Sequence, residues 1–221
     1  MINLMIKIGV FDSGVGGESV VNAIKGQLPE LEIIYETDRQ NIPYGDKTPE
    51  RLIELVIPKL KKMEDEGCSV IIVACNTVTT TIIKQVRETI KTPIVAIEPM
   101  VKPAAKLSKT KKIAVCATPA TLKSERYKEL VETYAKGIEV FEPDCSKWAY
   151  LIENNAHNRE VIEPDIIKSL EKGADVIVLA CTHYHWIEED IKDIAKNHQA
   201  AVIQPEQAIV ERLKIVLSQL G

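Results

Sequence analysis

The chain has 221 residues, 45% of them hydrophobic and 27% charged, with a formal net charge of −4. This composition is typical of a globular protein, and its acidic balance argues against a nucleic-acid-binding surface. No apolar run approaches the roughly 20 residues that span a bilayer, and the N-terminus lacks a signal-peptide pattern. Five cysteines without a C-x-x-C pair argue against a disulfide framework. We therefore expect a cytoplasmic protein that binds neither nucleic acid nor membrane.

Strand-like and helix-like segments alternate along the chain. Short β-branched runs predict strands at Ile6–Phe11, Leu31–Tyr35, Val70–Ala74, Ile94–Ile97, Ile113–Cys116, Ile138–Phe141, Val176–Ala180 and Ala201–Ile203. Amphipathic stretches predict helices at Glu18–Leu28, Pro49–Glu66, Val78–Ile90, Leu122–Tyr134, Pro164–Lys172, Ile187–Asn197 and Pro205–Gly221. This alternation predicts an α/β fold with parallel sheets flanked by crossover helices.

The two halves of the chain resemble each other. Gly67–Cys75 and Gly173–Cys181 are identical at five of nine positions, and Lys7–Val10 resembles Lys112–Val115 at nearly the same separation. Chance similarity between buried strands is the alternative explanation. The repeat predicts two pseudosymmetric domains, residues 1–98 with 206–221 and residues 99–205. We expect a linker at Pro99–Pro103, where prolines interrupt the pattern.

Each repeated strand ends in a cysteine followed by polar residues. The two segments are Cys75-Asn76-Thr77 and Cys181-Thr182-His183. Ligands of open α/β sheets bind outside the carboxyl ends of the strands, and a thiolate there is a good base and nucleophile. A buried cysteine that only fills space is the alternative, and we expect it for Cys68 and Cys116. Two matched thiols are what a cofactor-free inversion of a carbon centre requires.

The segment Asp12–Gly17 follows the first strand and opens the first helix. Its glycines allow close approach of a ligand, and the helix start favours an anion. The spacing is not that of the dinucleotide-binding motif. A carboxylate and a hydroxyl, Asp12 and Ser13, are therefore placed to face a ligand, although Asp12 could instead cap the helix.

Three other features remain open from the residues alone. Tyr44, in the loop Asp38–Gly45, could cover a site or lie in a surface turn. Glu153, taken by itself, is most simply a solvated helix residue. Cys181, His183 and His185 are good zinc ligands, but a helix start follows them and no further Cys/His spacing supports a site, so we expect no metal.

Taken together, the motifs resemble the aspartate/glutamate racemase superfamily, and within it the glutamate racemases. The resemblance covers almost the whole chain and lies in Asp12–Gly17, Pro43–Gly45, Cys75–Thr77, Ile97–Pro99, Cys145–Glu153 and Cys181–Tyr184. It implies two pseudosymmetric α/β domains with the active site in the cleft between them. It also implies cofactor-independent conversion of L-glutamate to D-glutamate for peptidoglycan synthesis, and hence a role in cell-wall biogenesis and cell shape.

The resemblance also implies roles for single residues. Cys75 and Cys181 would exchange the α-proton on opposite faces of the substrate, assisted by Asp12 on the first side and by His183 and Glu153 on the second. The positions that match amino-acid-binding residues of the family are Asp12, Ser13, Tyr44, Gly45, Asn76, Thr77, Thr182 and His183. The expected partner is a small-molecule substrate, glutamate, with no cofactor and no metal, and a homodimer is left open.

Three departures from the family pattern concern the surroundings of the thiols. His185 replaces the usual proline and precedes Trp186, the second-domain turn Ala117–Thr121 lacks glycine, and the chain is short for the family. They bear on substrate range and regulation more than on the chemistry. An aspartate racemase or another superfamily member is the enzymatic alternative, although the second cysteine argues against a one-cysteine decarboxylase. A non-catalytic amino-acid-binding module is the other alternative, and it would not need paired thiols.

Overall fold

The structure, a computed structural model, describes residues 6–220. Residues 1–5, which carry the signal-peptide expectation, and the last residue of the predicted C-terminal helix lie outside this range. The strands are β1 (Lys7–Asp12), β2 (Glu32–Thr37), β3 (Val70–Val73), β4 (Ile94–Ala96), β5 (Lys112–Cys116), β6 (Glu139–Phe141), β7 (Val176–Leu179) and β8 (Ala201–Ile203). The helices are α1 (Gly17–Gln27), α2 (Pro49–Asp65), α3 (Asn76–Thr89), α4 (Val101–Leu107), α5 (Pro119–Lys123), α6 (Glu125–Tyr134), α7 (Trp148–Glu153), α8 (Arg159–Glu171), α9 (Glu188–Lys196) and α10 (Glu206–Ser218). Short 3₁₀ helices occupy Arg39–Asn41, Tyr44–Asp46 and Thr182–Ile187.

The described strands form two four-stranded parallel sheets with the same topology, β2-β1-β3-β4 and β6-β5-β7-β8. The predicted α/β class with helix-flanked parallel sheets is therefore confirmed. Each sheet belongs to one compact unit. Unit 1 holds the described residues up to Ile97 and those from Glu206 onward, and unit 2 is Glu98–Pro205.

In unit 1 the sheet is covered on both faces. Residues of β3 alternate, so that Ile72 packs with α1 and α10 while Ile71 packs with α2 and α3. All four residues of β3 are buried, and so are all four of β7 in unit 2. Burial on both faces explains why the sequence of each strand is continuously apolar instead of alternating.

In unit 2 the sheet is likewise covered on both faces. One face packs against α4 and α6, through residues such as Val101 and Tyr127. The other packs against α7, α8 and α9, through residues such as Trp148, Ile166 and Ile191. Within the described residues, no helix is long and apolar enough to cross a membrane.

Several predicted helix boundaries are wrong, and local capping explains two of them. The single helix predicted at Leu122–Tyr134 is interrupted at Ser124, which is extended and whose hydroxyl accepts a hydrogen bond from the Tyr127 N–H at 3.1 Å. The helix predicted from Pro164 begins at Arg159 because Asn158 caps it. The segment predicted as a linker at Pro99–Pro103 instead enters α4, in which Val101, Ala104 and Ala105 are buried.

Candidate active site

Cys75 lies just beyond the carboxyl end of β3 and is the residue that precedes α3. It is buried, and its Sγ lies 3.4 Å from the Ser13 Oγ, close enough for a hydrogen bond in which either group can donate. β1 and β3 are neighbours, while the chain continues from β1 to β2 on the other side. Ser13 and Cys75 therefore lie at the topological switch point of the sheet, where α/β folds bind ligands.

Asp12 is fully buried at the end of β1. Its Oδ2 accepts hydrogen bonds from the N–H groups of Gly14 at 3.0 Å and Gly17 at 3.1 Å. Gly17 is the first residue of α1, so the carboxylate satisfies a donor of the helix start, as the capping alternative predicts. These contacts fix the carboxylate in the turn that also carries Ser13.

Asn76 and Thr77 form the first turn of α3 and are buried. The Asn76 side chain is only 3% exposed, and neither its Oδ1 nor its Nδ2 has a hydrogen-bond partner among the described residues. Buried polar groups are rarely left unpaired, and the cost of doing so is about 1–3 kcal/mol. This carboxamide is therefore placed to bind a ligand at the start of a helix, where backbone N–H groups favour an anion.

Tyr44 and Gly45 lie in a 3₁₀ helix that packs against α3. The Tyr44 side chain is buried in the same apolar cluster as Cys75, so it is not part of a solvated surface turn. Its hydroxyl donates a hydrogen bond to the Asp38 Oδ2 at 2.7 Å. Burial, the hydrogen bond and charge of Asp38, and the nearby Cys75 and Asp12 all raise the pKa of Tyr44, so the phenol is neutral.

These residues of unit 1 are called the Cys75 group: Asp12, Ser13, Tyr44, Gly45, Cys75, Asn76 and Thr77. Sequence reasoning named all of them but gave no role to Asp38, which binds Tyr44. Its position directly after β2, at the same edge of the sheet as Asp12, was the available signal.

Cys181 occupies the equivalent position in unit 2, just beyond β7 and at the start of the 3₁₀ helix Thr182–Ile187. Its Sγ lies 3.9 Å from the Nδ1 of His183, and the Nε2 of His183 lies 2.8 Å from the Oε2 of Glu153. The side chains of His183 and Glu153 are each 6% exposed. Glu153 is therefore not a solvated residue, because it forms a buried pair with the imidazole.

The thiol, the imidazole and the carboxylate form a chain in which the carboxylate orients the imidazole toward the sulfur. This is the arrangement by which a reactive thiol is placed beside an acid–base group. Thr182 is buried beside them. These residues of unit 2 are called the Cys181 group: Cys181, Thr182, His183 and Glu153.

Aromatic packing supports the pair formed by His183 and Glu153. Trp148, at the start of α7, makes an edge contact with Tyr184 at 5.2 Å between ring centroids, and Glu153 ends the same helix. The Tyr184 hydroxyl donates to the Cys145 carbonyl at 3.2 Å. Burial and the neighbouring thiols raise the pKa of Tyr184. Burial, and to a smaller extent the neighbouring Cys116, raise the pKa of Cys145.

From the sequence, a zinc site is the alternative at the histidine-containing segment, which lies in the part of the chain that the structure describes. Among the described residues, no group of three or more His, Cys, Asp and Glu side chains is placed to hold a metal ion. The Nδ1 of His185 lies 3.6 Å from the Oε2 of Glu188, on a partly exposed side chain. The structure therefore gives no support to the zinc alternative at Cys181, His183 and His185.

Comparison with known proteins identifies the class. The model of the Asp/Glu/Hydantoin racemase family matches residues 17–213. The chain therefore belongs to this family, and the prediction of an amino-acid racemase, an isomerase, is confirmed.

Individual relatives within the family narrow the resemblance to the glutamate racemases. The chain is 34% identical to the glutamate racemase of Ralstonia pickettii, over 97% of the chain and 77% of that protein, and 35% identical to that of Pseudomonas paraeruginosa, over 96% and 81%. It resembles the crystal structure of Escherichia coli glutamate racemase in complex with L-glutamate and the activator UDP-MurNAc-Ala, with a TM-score of 0.88 and 28% identity over 96% of this chain and 82% of that one. The corresponding values for the Francisella tularensis glutamate racemase in complex with D-glutamate are 0.81, 29%, 97% and 82%. The resemblance to glutamate racemases predicted from the motifs is thus confirmed.

Proposed function

We propose that this protein racemises glutamate without a cofactor and that Cys75 and Cys181 are its two acid–base groups. The observation that carries the proposal is the equivalent placement of the two thiols. Each follows the third strand in chain order of a sheet with the same topology, and each has a hydrogen-bonding group beside its sulfur. A single-base enzyme or a binding module would require only one such position, or none.

In the proposed reaction one thiolate accepts the proton from Cα, and the electron pair of the C–H bond remains on the substrate as a carbanion delocalised into the carboxylate. The opposite thiol then donates its proton to the other face of Cα and becomes a thiolate. The α-carbon is inverted, no electrons are gained or lost, and the two sulfurs have exchanged protonation states. The reverse reaction, or proton exchange with water, restores them.

The difficult step is the formation of charge on the substrate carboxylate, which fixed hydrogen-bond donors stabilise. The first turn of α3 offers backbone N–H groups, and Asn76 offers a buried carboxamide without a protein partner among the described residues. We assign Asn76, Thr77 and Thr182 to holding the substrate carboxylate, and Ser13, Tyr44 and Gly45 to holding the remainder of the amino acid.

The two thiols have different acid–base partners in this proposal. His183, held by Glu153, accepts and donates the proton of Cys181, while Asp12 and Ser13 assist Cys75. His183 thus belongs both to the catalytic residues and to the substrate-binding residues, as does Asp12.

The choice of glutamate as substrate is supported by the relatives, which are named glutamate racemase, and by the L- and D-glutamate named in the two structures described above. The likeness to the aspartate racemase of Picrophilus torridus, at 22% identity and a TM-score of 0.67, concerns the fold alone. With glutamate as substrate, we place the protein in the cytoplasm as a source of D-glutamate for peptidoglycan and cell shape. That assignment rests on the family resemblance and allows a homodimer.

The test is circular dichroism of L-glutamate and of D-glutamate incubated with the purified protein. We expect each signal to decay to zero, and we expect Cys75→Ala and Cys181→Ala each to lower kcat/KM by about a thousandfold or more, because a lost acid–base group costs about 10²–10⁴ in rate. Cys68→Ala is the matched control, since Cys68 is a buried cysteine near the other end of β3. Near-normal turnover of either variant would refute the two-base assignment.

Two further measurements sharpen this test. Because the enantiomers have equal free energies in solution, kcat/KM must fall equally in both directions for any variant, and an unequal fall would indicate an artefact of the assay. In D₂O, newly formed product should carry deuterium at Cα from the first turnover. Largely protiated product at early times would instead indicate one base that returns the same proton.

The same assay separates the alternative functions. Aspartate as the better substrate would favour the alternative racemase. An unchanged circular dichroism signal of glutamate together with saturable binding would favour the binding module.

A further inference from the structure

Asp38 is a buried carboxylate that the proposed reaction does not use. It follows β2 and is 6% exposed. Its Oδ2 accepts the 2.7 Å hydrogen bond from the Tyr44 hydroxyl, and its Oδ1 accepts one from the Asn41 Nδ2 at 3.0 Å. The Nζ of Lys59, on α2, lies 3.6 Å from Oδ1.

The backbone of the same residue contacts the turn that follows β1. The Asp38 N–H donates to the Ser13 carbonyl at 3.3 Å, and the Asp38 carbonyl accepts from the Asn41 N–H at 3.0 Å. The Ser13 hydroxyl in turn lies 3.4 Å from the Cys75 sulfur. One residue thus connects two segments of the Cys75 group, with its side chain on Tyr44 and its main chain on Ser13.

The Tyr44 hydroxyl has one proton, and it is donated to Asp38. The phenol ring is therefore fixed in direction, and its oxygen offers only lone pairs to any further group. Both Tyr44 and Cys75 lie in the same buried cluster, so a change in the direction of the phenol changes the space next to the thiol. A buried carboxylate is costly unless it is paired, so its presence here requires the hydrogen bonds it makes.

We propose that Asp38 is a positioning residue for the Cys75 group, whose carboxylate orients Tyr44 and whose backbone holds Ser13 beside Cys75. The proposal rests on the proposed function, in which this group binds and deprotonates the amino acid. Asp38 acts through Tyr44 and Ser13 and does not touch the substrate. Lys59 provides the balancing charge.

The first test uses Asp38→Asn, which preserves size and the backbone contact to Ser13 but loses the charge. Because the Ser13 contact remains, we expect KM for glutamate to rise about tenfold with kcat within about threefold, the loss expected for a weakened charged hydrogen bond. Tyr44→Phe removes the same bond from its other end, and Asp38→Asn should add no further increase in the Tyr44→Phe background. Equal and additive effects on KM in the double variant would overturn the proposal, as would an unchanged KM in Asp38→Asn.

A matched pair of lysine variants controls for the loss of surface charge. Lys59→Met should raise KM in the same sense as Asp38→Asn, because it leaves the buried carboxylate without its cation. Lys62→Met, one turn away on α2, removes an ion pair to Glu36 at 3.3 Å and should leave KM unchanged. The same rise in both lysine variants would contradict the proposal.

A second readout does not depend on turnover. The rate of alkylation of Cys75 by iodoacetamide, followed by mass spectrometry of the labelled peptide, should rise about tenfold in Asp38→Asn, because Tyr44 is no longer held in the cluster around the thiol. Cys181 serves as the internal reference and should be labelled at an unchanged rate. An unchanged rate at Cys75, or an equal rise at both cysteines, would overturn the proposal. A parent protein that does not racemise glutamate but shows this selective rise would refute the proposed function and leave the role of Asp38 intact.

Discussion

Cys75 and Cys181 occupy equivalent strand ends, but the groups beside them differ. A hydroxyl, Ser13, lies within hydrogen-bond distance of the first sulfur, and an imidazole, His183, lies beside the second. The imidazole is held in turn by a buried carboxylate, Glu153. The repeat therefore preserves the position of the thiol and not its electrostatic surroundings.

Gly17 tests whether the position of Asp12 matters for activity. A Cβ at Gly17 would lie 2.5 Å from the Asp12 Cβ and 2.9 Å from the Tyr35 hydroxyl, both too close to be accommodated without movement. We expect Gly17→Ala to displace Asp12 and to lower kcat/KM for glutamate by about 100-fold, since a small misplacement of a catalytic group has effects of this size. Steady-state racemisation assays measure this change.

Gly26→Ala is the control in the same helix, because no atom lies within 4 Å of the position of its Cβ. We expect it to leave kcat/KM unchanged and to stabilise the protein by up to about 1 kcal/mol, since alanine favours the helix. If both variants had the same activity as the parent protein, the close contact of Gly17 with Asp12 would be irrelevant to catalysis.

Among single site residues, the sequence predicts those that are recognisable from the adjacent strand. Cys75, Cys181 and Asp12 each directly follow or end an apolar strand, which the strand pattern reveals. Glu153 is different, because it does not follow a strand and its burial depends on its contact with His183. Composition around Glu153 indicates a solvated helix residue, and only its pairing in the fold explains why it is buried.

Among elements, strands are predicted better than helix boundaries for a physical reason. A strand buried on both faces carries its signal in every residue, as β3 and β7 do. A helix boundary depends instead on a single cap, such as Ser124 or Asn158. The short helices α4 and α7 lack enough turns to show a period, so they are not recognised from the sequence.

Asp175 fixes the start of the strand that leads to Cys181. It immediately precedes β7, and its carboxylate accepts hydrogen bonds from the Ser108 hydroxyl at 2.6 Å and from the N–H groups of Lys109 at 2.7 Å and Thr110 at 2.9 Å. We expect Asp175→Asn to lower the free energy of unfolding at pH 7 by about 1–3 kcal/mol, because charged hydrogen bonds are lost. Denaturant titration measures this difference.

The difference in the free energy of unfolding between the parent protein and Asp175→Asn should depend on pH in a defined direction. Burial opposes ionisation, but the hydrogen bonds from Ser108, Thr110 and Lys109 prevail and lower the pKa of Asp175 below its ordinary value. A lowered folded-state pKa gives stability that is present above the unfolded-state pKa of about 3.9 and is lost as the pH falls through the folded-state pKa. Parent and variant should therefore converge in acid, and a difference that persists there would contradict this account. Asp144→Asn is the control, since its exposed carboxylate should change stability less.

The molecule as a whole consists of two units with the same sheet topology, each with its own buried clusters. The C-terminal helix α10 belongs to unit 1, although it follows unit 2 in sequence. It packs on α1, where Lys214 donates to Gln27 at 2.9 Å and Ser19 donates to Glu206 at 2.8 Å. Unit 1 therefore includes a segment that is distant in sequence from the rest of the unit.

This division predicts that a cavity in one unit is felt mainly in that unit. Leu213 of α10 is fully buried against the sheet of unit 1, so Leu213→Ala should cost about 2–5 kcal/mol. Native-state hydrogen exchange should show reduced protection of β1, β3 and β4, with the protection of β5 and β7 nearly unchanged. Leu170→Ala, in the α8 cluster of unit 2, should give the opposite distribution. An equal loss of protection in both sheets would mean that the chain unfolds as one cooperative body, and the two clusters of each unit would then not define separate units of stability.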